Sequence, residues 1–123
     1  MIQKQMLNQS APLDLAFHAL ADPSRRAIVE RLTRGPASVS ELAKPLAMTF
    51  PAVMQHLAVL EGAHLVASEK IGRVRLCRLE AATLDRAEAW LNAQRGEWER
   101  RFDRLGRYLE ELQSPGGKHD EHD

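Results

Sequence analysis

The sequence has little cysteine, few aromatic residues and no long apolar segment. Its 123 residues include a single cysteine, Cys77, and 5% aromatic residues, so a scaffold held by internal disulfides is excluded. The longest uninterrupted apolar run is Leu57-Ala58-Val59-Leu60, whereas a membrane-spanning helix needs about 20 apolar residues. The first dozen residues lack the apolar segment of a secretory signal. We therefore expect one domain in the reducing cytoplasm, without membrane contact.

Net charge is also lacking, because 17 basic and 17 acidic residues cancel. The zero total hides a segregation along the chain. Residues 19–78 carry nine basic and five acidic residues, a net of +4, whereas residues 79–123 carry seven basic and eleven acidic ones, a net of −4. This asymmetry is typical of a chain in which one region meets nucleic acid and a second, acidic region has another task.

Apolar residues recur at helical spacing between residues 13 and 62. Capping signals divide this stretch. Asp22 before Pro23 begins a helix, because aspartate accepts a hydrogen bond from the first turn and proline needs no donor there. Ser38 or Ser40 can begin the next helix and Thr49 the one after. The pattern predicts helices over residues 13–21, 22–34, 38–46 and 49–62.

The second half of the sequence predicts a hairpin and one long helix. Two short strands are expected over residues 65–70 and 74–79, with Gly72 in the turn. The apolar and basic residues that alternate in the second strand predict a hairpin whose outer face carries Arg73, Arg75 and Arg78. The last helix, over residues 83–112, is roughly 45 Å long, more than a small domain can cover. Its apolar stripe therefore predicts contact with a second chain.

The order of these elements is that of a winged helix-turn-helix. The predicted fold is mainly α with a small β-hairpin and a long C-terminal dimerisation helix. The helix at 49–62 would enter the DNA major groove, and arginines of the hairpin would contact phosphates. This domain covers residues 13–112. Residues 1–12 are expected to be a flexible N-terminal tail and residues 113–123 a disordered C-terminal tail.

Four motifs, in this order along the chain, resemble those of the ArsR-type winged-helix repressors. They are Phe17-x-Ala19-Leu20-Ala21-Asp22-Pro23-x-Arg25-Arg26, Ser38-Val39-Ser40-Glu41-Leu42-Ala43, Pro51-Ala52-Val53-x-Gln55-His56-Leu57-x-Val59-Leu60-Glu61 and Gly72-Arg73. The resemblance covers about residues 13–112. It implies a homodimeric repressor that binds double-stranded DNA at a pseudo-palindromic operator and dimerises largely through its first and last helices.

Two sets of site residues follow from the predicted elements and the resemblance. The predicted DNA contacts are Thr49, Pro51, Ala52, Met54, Gln55, His56, Lys70, Arg73 and Arg75. Among them Gln55 is the predicted base contact, since glutamine can bond adenine bidentately, and His56 is open between a structural role and a base contact. The predicted dimer interface comprises Leu13, Phe17, Leu20, Leu91, Trp98, Phe102, Leu105, Leu109 and Leu112.

The sequence departs from the family pattern where relatives read DNA or sense metals. Many relatives carry a hydroxyl and a basic residue where this chain has Met54 and Gln55. The metal-sensing branch carries paired cysteines after the position of Leu42, or Asp and His on the last helix; here no thiol follows Leu42 and the last helix has no histidine. We therefore expect no metal site and no cofactor, with His119 and His122 in a solvated tail.

Three alternatives stay open at this point. Trp90, Trp98 and Phe102 could line a pocket for an unidentified small-molecule effector instead of a dimer interface. Arg25 and Arg26 could form an ion pair or contact phosphate. The whole chain could be a protein-interaction module on a winged-helix scaffold that no longer binds DNA, which the salt dependence of DNA binding would reveal. An enzyme is not expected, because no nucleophile with a base and no phosphate-binding glycine loop is present.

Overall fold

The computed structural model describes the backbone of residues 2–113 and the side chains of residues 11–113. These residues form mainly helices and a small sheet, as predicted. The chain divides between Glu88 and Ala89 into two compact units. The elements are α1 (Ile2–Leu20), α2 (Pro23–Leu32), β1 (Ala37–Ser38), α3 (Val39–Leu46), α4 (Phe50–Gly62), β2 (Val66–Ile71), β3 (Val74–Leu79) and α5 (Ala81–Gln113).

The core of the first unit is made by one face of each helix and one face of the sheet. Burying an aliphatic side chain of this size contributes about 1.5–3 kcal/mol, so the packing of these faces holds the short helices in place. The first turns of α5 add Thr83 and Ala87 to the buried residues. The largest fully buried side chains are Ile28, Val39, Leu42, Val53, Leu57, Leu60, Leu65, Val66 and Cys77.

Capping hydrogen bonds confirm the predicted starts of α2 and α4. The Asp22 carboxylate accepts a hydrogen bond from the amide of Arg25 at 3.0 Å, and the Thr49 hydroxyl accepts one from the amide of Ala52 at 3.2 Å. Each bond satisfies a backbone donor that has no partner within its own helix. These caps fix where the two helices begin.

Ser38, and not Ser40, caps α3. Its hydroxyl accepts a hydrogen bond from the amide of Glu41 at 3.1 Å, and the Glu41 carboxylate accepts one from the amide of Ser38 at 2.8 Å. This reciprocal pair is a capping box. The hydrogen bond from the Ser38 amide lowers the pKa of Glu41.

The first helix is longer than the sequence predicted. α1 begins at Ile2, so the predicted start at residue 13 is wrong, and residues 2–12 are helical. Glutamine, methionine, leucine and lysine, which are frequent in this segment, have good helix propensity, whereas the prediction weighed only its polarity. At the other end α5 runs to Gln113, one residue beyond the predicted end of the last helix. His119 and His122 lie outside the described residues.

The sheet contains one strand more than predicted. Its order is β1-β3-β2, and both pairings are antiparallel. β1 pairs Ala37 with Cys77 and Ser38 with Leu76, and two residues are too few to show an alternating pattern. Gly72, at φ +64°, makes the hairpin turn as predicted, because a left-handed conformation strains residues that carry a Cβ.

The arginines of the hairpin do not share one face, and this part of the prediction is wrong. Arg75 pairs with Lys70 and lies on the same face as the buried Cys77. Arg78 lies on the opposite face, where its guanidinium is 3.6 Å from the Glu69 carboxylate. Side chains alternate between faces along a strand, so positions 75 and 78, three apart, cannot point the same way.

The described part of the second unit is the continuation of α5 as a single helix. The rings of Trp98 and Phe102 stack with centroids 5.3 Å apart. From residue 98 onward the apolar positions alternate four and three apart, which is the spacing of a coiled-coil seam. The exposed apolar side chains of this unit are Trp90, Leu91, Trp98, Phe102, Leu105, Tyr108, Leu109 and Leu112. Within residues 2–113, the helices lack the combination of length and apolarity needed to cross a membrane.

Candidate nucleic-acid interface

One side of helix α4 packs into the core, and the opposite side is exposed to solvent. Val53, Leu57 and Leu60 are buried. Residues four apart share a helix face, so the exposed Pro51 and Gln55 form one strip. Phe50 and Met54 form a neighbouring strip, about 100° around the helix axis. Thr49 is exposed at the N-terminal end and Ala52 is half-buried.

A groove of about 460 Å³ separates the first turns of α3 and α4 from the β2–β3 hairpin. It brings Met54 of α4 together with three predicted DNA contacts of the hairpin, Lys70, Arg73 and Arg75. No carboxylate is among the described residues that line it. The surface is therefore cationic with an apolar floor, which suits a polyanion that carries apolar groups. The lining residues are Ser38, Val39, Ser40, Phe50, Met54, Lys70, Arg73, Val74 and Arg75.

Arg75 joins the hairpin to α4 through two hydrogen bonds. Its Nη1 donates to the hydroxyl of Ser68 at 2.9 Å, and this hydroxyl donates to the carboxylate of Glu61 at 2.5 Å. Arg75 is half-buried, and one of its nitrogens is used in this pair of hydrogen bonds. Arg73 is exposed at the turn and is therefore the more accessible of the two cations.

His56 lies away from the groove and against α2. Its Nδ1 is 3.5 Å from Nη1 of Arg25 and 4.0 Å from Oδ2 of Asp22. The Arg25 guanidinium also donates to the carbonyl of Ala19 at 2.6 Å and to that of His18 at 3.1 Å. A guanidinium has no acceptor, so Nδ1 of His56 can only accept in a hydrogen bond with Arg25. This geometry favours the structural interpretation of His56.

The Arg25–Arg26 pair has a role that the sequence left open. Arg26 donates to the carbonyl of Leu20 at 2.8 Å, so both arginines satisfy the last carbonyls of α1. The hydrogen bond from the Arg25 amide is the largest cause that holds the pKa of Asp22 below its usual value.

The sequence did not predict that the groove is also lined by Phe50, Ser38, Val39, Ser40 and Val74. The signal for Phe50 was present, since residues 50 and 54 are one turn apart on the predicted helix. Nothing in the sequence placed Ser38 and Ser40, because their position depends on how α3 packs against the hairpin.

Cysteine and clustered metal ligands are the residues through which a protein can sense oxidants or metals. Cys77 is fully buried in β3, and its burial, together with the nearby Glu61 carboxylate, raises the pKa of its thiol. Among the residues that the structure describes, no three His, Cys, Asp or Glu side chains are grouped so as to hold a metal ion.

The first unit thus contains a short helix, a turn, an exposed second helix and a cationic hairpin beside it. These features define a winged helix-turn-helix protein. Comparison with known proteins supports this class. A family model described as a helix-turn-helix domain matches residues 20–69.

Similar proteins narrow the class to a family. The HTH-type transcriptional regulator Rv2034 of Mycobacterium tuberculosis is 51% identical over 71 residues, which are 58% of this chain and 66% of that protein. The crystal structure of an ArsR family transcriptional regulator, RHA00566, is 48% identical with a TM-score of 0.69 and is matched over 72% of this chain and 92% of that one. An ArsR-like transcriptional regulator from Rhodococcus sp. RHA1 is 33% identical with a TM-score of 0.74, over 85% and 95% of the two chains.

The chain belongs to the ArsR family of helix-turn-helix transcriptional regulators. The resemblance found in its motifs is thereby confirmed. The matched segments span between 47% and 66% of the curated mycobacterial relatives.

Proposed function

We propose that this protein binds double-stranded DNA sequence-specifically as a homodimer and represses transcription from a pseudo-palindromic operator in the cytoplasm. The observation that carries the proposal is the groove in which Met54, Lys70, Arg73 and Arg75 meet beside the exposed face of α4. The protein is a regulator and not an enzyme, in keeping with its family. The repressor role rests on relatives such as the mycobacterial protein named transcriptional repressor SmtB, 44% identical over 63 residues.

In this proposal α4 is the recognition helix. Its exposed strip of Pro51 and Gln55 faces the base edges in the major groove, and the Gln55 amide bonds an adenine. Arg73, Lys70 and part of Arg75 lie over the phosphates on the side of the hairpin. Thr49 retains a hydroxyl proton that can be donated to a phosphate, because its oxygen accepts the capping bond.

The homodimer is supported by the apolar surface of α5. Residues 98–112 repeat with coiled-coil spacing, and Trp98 and Phe102 are 63% and 60% exposed in the single chain. Soluble proteins rarely leave a continuous apolar stripe of this kind in water. On α1, Phe17 is exposed while Leu13 and Leu20 are half-buried. A symmetric dimer would bind two half-sites about one DNA turn apart, roughly 34 Å.

The same exposed stripe is the observation that favours the second candidate, a protein-interaction module that no longer binds DNA. The two candidates differ in their response to salt. A protein that neutralises phosphates releases counterions, so its affinity for random duplex DNA falls steeply as salt rises. An interaction module lacks this dependence.

The test combines selection of bound sequences from a random duplex pool with titration of random DNA at 50 and 200 mM salt. We expect one enriched two-fold symmetric sequence and a loss of roughly 10³-fold or more in affinity between the two salt concentrations. A matched control is the double variant Lys70→Ala and Arg73→Ala, which removes two groove cations and should flatten the salt dependence. No enrichment, with binding independent of salt, would contradict the proposal.

A further inference from the structure

We propose that Phe50 recognises the 5-methyl group of a thymine in each operator half-site. This inference rests on the proposed function and makes Phe50 a specificity-determining residue of the recognition helix. Its side chain is not among the DNA contacts that the sequence predicted, and it is assigned by its position in the groove.

Phe50 is the first residue of α4, directly after the cap at Thr49. The N-terminal residues of a recognition helix are those that reach base edges. Phe50 is 53% exposed in the protein, although withdrawing an aromatic ring from water is favourable. Contact between this ring and DNA in the groove would therefore remove apolar surface from water and stabilise the complex.

The groove around Phe50 combines apolar and cationic side chains, as recognition of a methyl group on a polyanion requires. Met54, one turn further on, is half-buried and packs against the core, so it forms an apolar floor behind the ring. Lys70, Arg73 and Arg75 supply the charge on the same groove. The thymine methyl is the only apolar group that the four standard bases expose in the major groove, and apolar side chains such as phenylalanine recognise it.

The thymine lies at a different position from the base bonded by Gln55. The strip of Phe50 and Met54 is about 100° around the helix from that of Pro51 and Gln55, on the side that faces the hairpin. Removal of the Gln55 amide should therefore leave the thymine preference intact.

The experiment replaces thymine by uracil, which removes the methyl group and leaves every hydrogen-bonding atom of the base. In the sequence selected by the wild-type protein, each thymine is replaced in turn, with its symmetry mate. Wild-type protein should lose roughly fourfold in affinity for each half-site at one symmetric pair of thymines, as expected for one buried carbon group. The Phe50→Ala variant should bind the thymine and uracil duplexes equally.

Three control variants separate this contact from a general effect. Phe50→Leu keeps an apolar side chain and should retain part of the methyl preference. Val74→Ala, which shortens an apolar side chain in the same groove, and Gln55→Ala should leave it unchanged. Circular dichroism checks that each variant is folded. We expect folding to be retained, because Phe50, Val74 and Gln55 are all exposed.

The outcomes distinguish this inference from the proposed function. If a sequence is selected but uracil replacement leaves wild-type affinity unchanged at every thymine, Phe50 does not read a methyl group. The same holds if the effect persists in Phe50→Ala, or if the selected sequence contains no thymine. If no sequence is selected at all, the proposed function fails and this inference fails with it.

Discussion

Nδ1 of His56 on α4 lies 3.5 Å from Nη1 of Arg25 on α2. The same guanidinium donates to the carbonyls of His18 and Ala19 at the end of α1. One side chain of α2 thus contacts two other helices of the first unit, α1 and the helix that we propose to enter DNA. This relationship gives the arginine of the Asp22-Pro23-x-Arg25 motif a physical task, which is to hold α4 against α1 and α2.

Replacement of Arg25 tests this task. Arg25→Ala should lower the free energy of unfolding by about 1.5–3 kcal/mol, because it removes charge-assisted hydrogen bonds to two carbonyls. Arg25→Lys should recover only part of this, since one ammonium cannot reach both carbonyls and the imidazole. Arg26→Ala is the matched control: it removes one exposed bond, to Leu20. Urea denaturation measures all three, and equal losses for Arg25→Ala and Arg26→Ala would contradict the assigned role.

Gln55 is expected to provide sequence information. Gln55→Ala should cost roughly 1–3 kcal/mol of binding free energy on the selected operator and little on random DNA, because a base contact distinguishes sequences. In a symmetric dimer the effect appears twice. Fluorescence anisotropy with the two duplexes measures it. An equal loss on both would show that Gln55 is not a base contact.

Arg73 is expected to provide affinity without sequence information. Arg73→Ala should weaken operator and random DNA by similar factors, and the slope of log affinity against log salt should fall by about one for each phosphate that is no longer neutralised. Arg78→Ala is a control on the opposite face of the hairpin, where it pairs with Glu69. If Arg73→Ala changes neither affinity nor slope, Arg73 does not contact a phosphate.

The apolar stripe of α5 predicts the oligomeric state. Leu105→Glu together with Leu109→Glu should give monomers and abolish tight operator binding, because buried unpaired carboxylates are costly and two half-sites no longer bind as one unit. The control is Arg104→Glu with Arg107→Glu, which changes more charge at positions off the seam. Analytical ultracentrifugation distinguishes them. A wild-type protein that sediments as a monomer at micromolar concentration would contradict a dimer interface, expected to exceed about 1,200 Å².

The capping box of α3 predicts a stability that depends on pH. In the folded state the pKa of Glu41 lies below its ordinary value of 4.5. The ionised carboxylate therefore stabilises the fold fully above pH 4.5, and this stabilisation is lost as the pH falls through the lower pKa of the folded state. Glu41→Gln keeps an acceptor without the charge. Its melting temperature should lie below that of the wild type at pH 7 and converge with it toward pH 3.

The matched variant at the other side of the capping box is Ser38→Ala. It removes the acceptor for the Glu41 amide and should cost about 1 kcal/mol. Because the serine hydroxyl does not titrate, this loss should persist at both pH values. A gap between Glu41→Gln and wild type that does not narrow on acidification would contradict the assigned capping role.

Cys77 is expected to be chemically inert in the folded protein. Its thiol is buried and its pKa is raised by that burial, whereas thiol reagents and oxidants attack an accessible thiolate. Labelling with a thiol reagent should follow global unfolding, and Cys77→Ala should leave DNA binding unchanged in the presence of hydrogen peroxide. Rapid labelling of the native protein, or an oxidant response that Cys77→Ala abolishes, would contradict this expectation.

Local signals were sufficient to predict most elements of the first unit. Asp22, Ser38 and Thr49 mark helix starts because their side chains satisfy the nearest backbone amides, and these contacts span only three residues. Gly72 marks the hairpin for an equally local reason, its left-handed φ. Local signals failed for α1, where the prediction weighed polarity and neglected helix propensity.

What the sequence by itself determined is therefore the order of the helices and the hairpin, the caps that begin α2 and α4, and the family to which the chain belongs. Only the tertiary structure decided that His56 faces Arg25, that Arg75 lies on the core side of the hairpin, and that Phe50 and Ser38 line one groove with Lys70. The physical reason is distance along the chain. Caps and turns join neighbours, whereas His56 and Arg25 are 31 residues apart, and such contacts form only when the core fixes how the helices and the sheet pack.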